Sequence, residues 1–139
     1  MASELRVNTL KDASGNNSVG MSTVSNGSAK MWSCFNGTGT VAIKDSFNQS
    51  TLTDNGNGDQ TVAFTNSMGN SNYSSTGACL GGSTDGSNYA IFGCEDASAA
   101  TTKTSSNLQC TSGFVANVTA GASHVNHQDM NLAIHGDLA

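Results

Sequence analysis

Thr51-Leu-Thr53 and Val62-Ala-Phe64, with Asp54-Asn-Gly-Asn-Gly-Asp59 between them, decide the fold class. Two short runs of strand-favouring residues flank an Asn-Gly-rich connection, and Asn-Gly supplies the positive φ that tight hairpin turns require. Upstream, Met31, Trp32 and Phe35 run into Asn36-Gly-Thr-Gly-Thr40, after which Val41 and Ile43 share one face of a strand with Phe47 further along it. Period-2 alternation of this kind predicts a half-buried strand. Downstream, Asn72–Ser75, Tyr89–Gly93, Thr101–Ser105, Phe114–Thr119 and Met130–His135 are predicted strands, separated by turn clusters at 81–88 and 119–123. Strands recurring at about 8–15 residues suit a sandwich or barrel. Only Glu95–Ala100 has helical tendency, and six residues are too few for a stable isolated helix. The expectation is an all-β fold.

Residues 1–30 differ from the remainder in containing no aromatic residue. Leu5, Val7 and Thr9 alternate with Arg6, Asn8 and Leu10, which predicts a strand. Asp12-Ala-Ser-Gly-Asn-Asn-Ser18 ends it, and Val19, Met21 and Val24 form a second short apolar strand. Two strands with so few apolar groups do not stabilise themselves in water. The segment is therefore predicted to be an extended interaction arm whose contacts fall on Leu5, Val7, Leu10 and Val19. Residues 31–139 form the second unit, a small antiparallel β-sandwich or barrel-like knob.

Composition narrows the function. Ser, Thr, Asn and Gly account for 67 of 139 residues, proline is absent, and apolar residues are 36%. Disorder normally pairs low hydrophobicity with high net charge and abundant proline, and neither accompanies it here. Five basic residues are scattered singly in a chain of net charge −5, which argues against nucleic-acid binding. No apolar run reaches the roughly 18 residues of a membrane span. The opening residues lack the charged and apolar regions of a signal peptide, so folding in a cytoplasm is expected. Cys34, Cys79, Cys94 and Cys110 then read as thiols, with one late-forming disulfide as the alternative.

Candidate chemistry is sparse. On a strand, His127 and Asp129 share a face that excludes His124, so one chain offers only two metal ligands. A threefold assembly would present them in triplicate on its axis. Interface hydrogen bonding is the simpler reading of these residues. Asp54 and Asp59 flank one turn and are explained by capping of their own backbone. As a calcium loop the stretch lacks the twelfth-position Glu and flanking helices of an EF-hand. No nucleophile elbow or phosphate-binding loop is present, so no catalytic residue or cofactor is assigned, and without an evident carboxylate pair a polysaccharide-degrading enzyme is disfavoured. Trp32, Tyr73 and Tyr89 lie beside turns and are candidates for stacking on sugar rings.

Two stretches carry a family resemblance. Ser3-Glu-Leu-Arg-Val-Asn-Thr-Leu-Lys-Asp-Ala-Ser-Gly-Asn-Asn-Ser18 resembles the opening of small virion proteins of tailed bacteriophages, marine cyanophages especially. Phe35-Asn-Gly-Thr-Gly-Thr-Val-Ala-Ile-Lys-Asp-Ser-Phe-Asn48, with the 52–59 and 62–65 segments, resembles a module of those proteins and of longer tail fibres. Asn131-Leu-Ala-Ile-His-Gly-Asp137 resembles the strand that closes such modules. About half the chain is covered, and residues 70–128 would be the variable part. The resemblance implies a non-enzymatic virion structural protein, a homotrimer whose arm docks on other virion proteins while the knob faces outward. It fits a short tail fibre or fibre tip that recognises the host surface. Capsid decoration and a carbohydrate-binding module reading a host-surface glycan are the alternatives.

Overall fold

The computed structural model describes residues 3–80, 89–93, 103–115 and 123–139. Its fold is all-β, with antiparallel sheets and, among the described residues, one short helix. Met31–Asn36 (β3), Ala42–Phe47 (β4), Ser74–Leu80 (β7) and Asp129–His135 (β11) form a four-stranded sheet in the order β4-β3-β11-β7. The second sheet is built on Asn107–Val115 (β9). Asp59–Phe64 (β6) and the two-residue Ser123–His124 (β10) pair along one edge of β9, Tyr89–Gly93 (β8) pairs along the other, and Gln49–Gly56 (β5) extends the sheet beyond β6.

The two sheets share one core. Met31 and Phe35 of β3 and Met130, Leu132 and Ile134 of β11 meet Val62 and Phe64 of β6 and Leu108 and Cys110 of β9, with Met68 and Tyr73 alongside. Every second residue of β3, β6 and β11 is buried, as period-2 patterning requires.

The central hairpin forms as the Asn-Gly run predicts. Gly56 pairs with Asp59 across Asn57-Gly58, and Gly58 has φ +69°. Gly58 is needed twice over, because a Cβ there would lie 2.3 Å from the Ser112 carbonyl oxygen. The chain passes from one sheet to the other between β4 and β5 through Asn48, whose φ of 59° is left-handed. Asn48 Nδ2 donates to the carbonyls of Lys30 and Asn66, and its Oδ1 accepts from Asn66 N at 2.7 Å. At the opposite side of the sandwich, the Phe92 ring of β8 lies on the backbone of Gly77 in β7. A Cβ at Gly77 would stand 2.1 Å from Phe92 Cε1.

Several expectations are corrected. Ile43 and Phe47 do not share a buried face: the register shift between Cys34 and Phe35 sets Ile43 opposite the buried Phe35 and Phe47 opposite the outward Trp32, and both are exposed on β4, an edge strand of the four-stranded sheet. The strand predicted over 72–75 begins at Ser74 and runs on to Leu80. β9 starts at Asn107, well before the predicted Phe114, since its inward positions are filled by Leu108, Cys110 and Ser112 and give little apolar alternation. At the start of the chain, the strands shrink to Thr9–Lys11 (β1) and Ser18–Gly20 (β2), and Met21–Gly27 is a helix (α1) rather than strand. Met21 and Val24 are three residues apart, a spacing that suits a helical face as well as it suits nothing on a strand. The Glu95–Ala100 segment lies outside the described residues.

Candidate functional site

Among the described residues, the outward face of the four-stranded sheet carries a developed surface groove. Register places Phe47, Trp32, Ala133 and Thr76 side by side in one row across β4-β3-β11-β7, and Asp45, Cys34, Asn131 and Ala78 in the next. Directly opposed residues have Cβ atoms about 4.5–5.5 Å apart, so each row is a continuous strip of side chains. Across β3, β11 and β7 the two rows line an open, largely apolar groove of about 460 Å³. Trp32 is 39% and Phe47 52% exposed. A solvated sheet face ordinarily carries polar side chains, so two exposed aromatics in one row are an exception that the fold itself does not need.

Polar groups border this strip. The bulge between Cys34 and Phe35 leaves Lys44 without an opposite residue and sends it over the sheet, where Nζ donates to the Gln128 carbonyl at 2.8 Å and pairs with Asp129. Asp45 Oδ1 accepts from Ser46 N at 2.8 Å.

The residues singled out from sequence have separate fates. Trp32 is on the groove. Tyr73 is not: it is only 4% exposed, its ring packs edge-on to Phe64 at 5.8 Å, and its hydroxyl lies 3.0 Å from the Thr104 carbonyl and 3.1 Å from that of Asn107. A turn-adjacent tyrosine is thus a core residue that ties down the loop before β9, and no face of it is offered to a sugar. Tyr89 begins β8 opposite Val115, and its side chain lies outside the described residues, as do residues 81–88.

His127 and Asp129 are not brought together as a ligand pair. His127 is 1% exposed, its Nε2 lies 3.2 Å from the Gly113 carbonyl, and its own carbonyl accepts from Gly37 N. Asp129 stands on the opposite side of the sheet with Lys44, because the segment before β11 is not strand and breaks the assumed alternation. Among the described residues no three His, Cys, Asp or Glu side chains gather. Asp54 and Asp59 serve their turn and sheet: Asp54 accepts from Gly56 N, and both Asp59 oxygens accept from Gln109 Nε2 at 2.8 Å. Cys34, Cys79 and Cys110 carry thiols, and burial pushes the Cys79 thiol up. Cys94 lies outside the described residues.

The N-terminal segment is the second surface of interest. β1 and β2 pair with Leu10 opposite Val19, and Asp12 holds the turn by accepting from Asn17 Nδ2 at 2.7 Å and from Asn16 N at 3.0 Å. No residue from 3 to 28 is buried. Leu5 is 80% exposed, and Val7, Leu10, Val19 and Val24 are also exposed. Comparison of the chain with models of known protein families, with characterised proteins and with solved structures finds no match.

The sequence missed Thr76, Ala78 and Asn131 as surface partners of Trp32. Each is unremarkable where it stands in the chain. The available signal was the outward parity of Asn131 and Ala133 on the closing strand, and it acquires meaning only once β11 is known to lie between β3 and β7.

Proposed function

We propose that the protein is a structural component of a bacteriophage virion, a short tail-fibre or fibre-tip protein. Residues 1–30 form its arm, attaching it to the particle and to sister chains in a homotrimer, and residues 31–139 are the outward knob that recognises the host surface. The observation that carries this reading is the N-terminal segment, which exposes Leu5, Val7, Leu10, Val19 and Val24 and leaves none of its described residues more than half-buried. Three-residue strands and a seven-residue helix do not hold their shape unaided in water. Contacts with sister chains or a virion protein would supply the missing burial, as expected for a segment that docks. The sequence resemblance of residues 3–18 to the openings of phage virion proteins points the same way.

Light scattering on the purified chain tests the arrangement. A mass three times the 14.1 kDa of one chain is expected, together with its loss and loss of particle incorporation when residues 1–28 are deleted. A chain that stays monomeric yet docks on the phage head would reassign it to capsid decoration. Normal incorporation of the truncated chain would refute the arm.

A further inference from the structure

We infer that the groove on the outward face of the four-stranded sheet binds a neutral saccharide, stacked on Trp32 and hydrogen-bonded by Asn131. The inference rests on the reading of residues 31–139 as the recognising half, and it supplies the ligand class that half would take.

A sugar ring presents an apolar C–H face and a rim of hydroxyl groups. The groove offers the complement of both. Trp32 provides an exposed indole, with Ala133 beside it in the same row, and an aromatic plane of that kind packs against C–H groups. In the next row Asn131 is exposed, and among the described residues none hydrogen-bonds its amide. Thr76 is exposed in the indole's row, its hydroxyl likewise unbonded among the described residues. An amide both donates and accepts, which is what adjacent sugar hydroxyls require. Asp45 adds acceptor oxygens one strand away. The groove volume of about 460 Å³ falls in the range of small-ligand sites.

Charge selects the kind of sugar. The chain carries −5, Asp45 lies in the polar row, and the nearby cation, Lys44, is committed to Asp129. None of the residues that line the groove carries a positive charge to meet an acidic saccharide. Size argues against a second copy of the chain as occupant. A stable protein interface buries about 800 Å² on each partner around an apolar centre, whereas this groove is two rows of side chains wide and has Asp45 and Asn131 in one of them.

Trp32 is the chain's one tryptophan, so its fluorescence reports on the site directly. The test titrates the full chain with cellotetraose, chitotetraose and maltotetraose, with tetragalacturonate as the acidic counterpart, and follows Trp32 emission and calorimetric heat. A saturable response to at least one neutral oligosaccharide is expected, with none to tetragalacturonate. By calorimetry, Trp32→Ala should weaken binding roughly tenfold or more and Asn131→Ala about fivefold. Asn131→Ala should melt with the parent, and Trp32→Ala, which loses its packing against Phe47 and Ala133, should melt slightly lower but still in one cooperative transition. No response to any neutral sugar, binding of the acidic one alone, or unchanged affinity in both variants would overturn the inference. So would Trp32 emission that shifts with protein concentration in the absence of sugar, which would assign the face to a second copy. A monomer that binds the neutral sugar would defeat the trimeric arm and leave the groove standing. A trimer that incorporates into particles but is blind to sugars would do the reverse.

Discussion

Residues 3–28 and the sandwich that follows are written in the same Ser-, Thr-, Asn- and Gly-rich vocabulary, yet one buries nothing and the other closes a continuous core. The difference lies in partnership. Leu10 and Val19 oppose each other across a two-stranded ribbon on which no other sheet packs among the described residues, whereas Phe35 and Met130 oppose each other on a sheet backed by a second sheet. A cross-strand apolar pair contributes a few tenths of a kcal/mol to about 1 kcal/mol. The same residues removed from water between two layers contribute severalfold more. A polar chain can therefore fold on few apolar residues, provided that they converge.

The largest test of that contrast is Phe35→Ala. Its ring is fully buried, so truncation should cost the sandwich about 3–5 kcal/mol in chemical denaturation. Leu10→Ala should move the melting of the sandwich by no more than about 0.5 kcal/mol. Equal losses from the two variants would show that the N-terminal ribbon belongs to the core after all.

Gly77→Ala probes the closing of the sandwich between β7 and β8. With Phe92 on one side and the Asn131 carbonyl 2.9 Å away on the other, the added methyl should cost about 1–3 kcal/mol. Combining it with Phe92→Ala should cost less than the sum of the two single changes, because the second removes the ring that the methyl strikes. Strict additivity would mean that the two residues do not touch.

Tyr73→Phe keeps the ring and removes the hydroxyl from the Thr104 and Asn107 carbonyls. A loss of about 1 kcal/mol is expected, seen as faster amide exchange at the start of β9. Unchanged exchange would dissociate Tyr73 from that loop.

The smallest effect is one of pH and belongs to the ribbon. The Asn17 side chain, donating to Asp12, holds that carboxyl below the ordinary carboxylate range, assisted by the amides of the turn. A folded-state pKa that is depressed adds stability above the unfolded value of about 3.9, and that stability is lost as pH falls through the lower folded value. The Leu10–Val19 pairing should accordingly loosen in acid below about pH 4, read as narrowing of amide shift dispersion in residues 9–20. Asp12→Asn should remove this dependence. Its persistence in the variant would place the titrating group elsewhere.

Legibility followed the range of the interaction. Asn57-Gly58 announces a hairpin because turn geometry is decided by two residues, and the alternation of Met130, Leu132 and Ile134 announces a strand because side-chain parity is a property of one segment. β9 escaped notice because Cys110 and Ser112 occupy its inward positions, where a neighbouring sheet, not their own hydrophobicity, puts them. Tyr73 was misplaced for the same reason. The candidate site was legible only as Trp32. Asn131 is separated from it by almost the whole sandwich in sequence and reaches the adjoining row only through the pairing of β11 with β3.

By itself the sequence determined the fold class, the hairpin turn and the distinct character of the first thirty residues, since all three arise from composition and from contacts between near neighbours. Tertiary structure alone decided which strands are edges, that Tyr73 is buried, and which outward side chains stand together beside the indole. Those depend on strand order and register, which are set by how two sheets exclude water from one shared core.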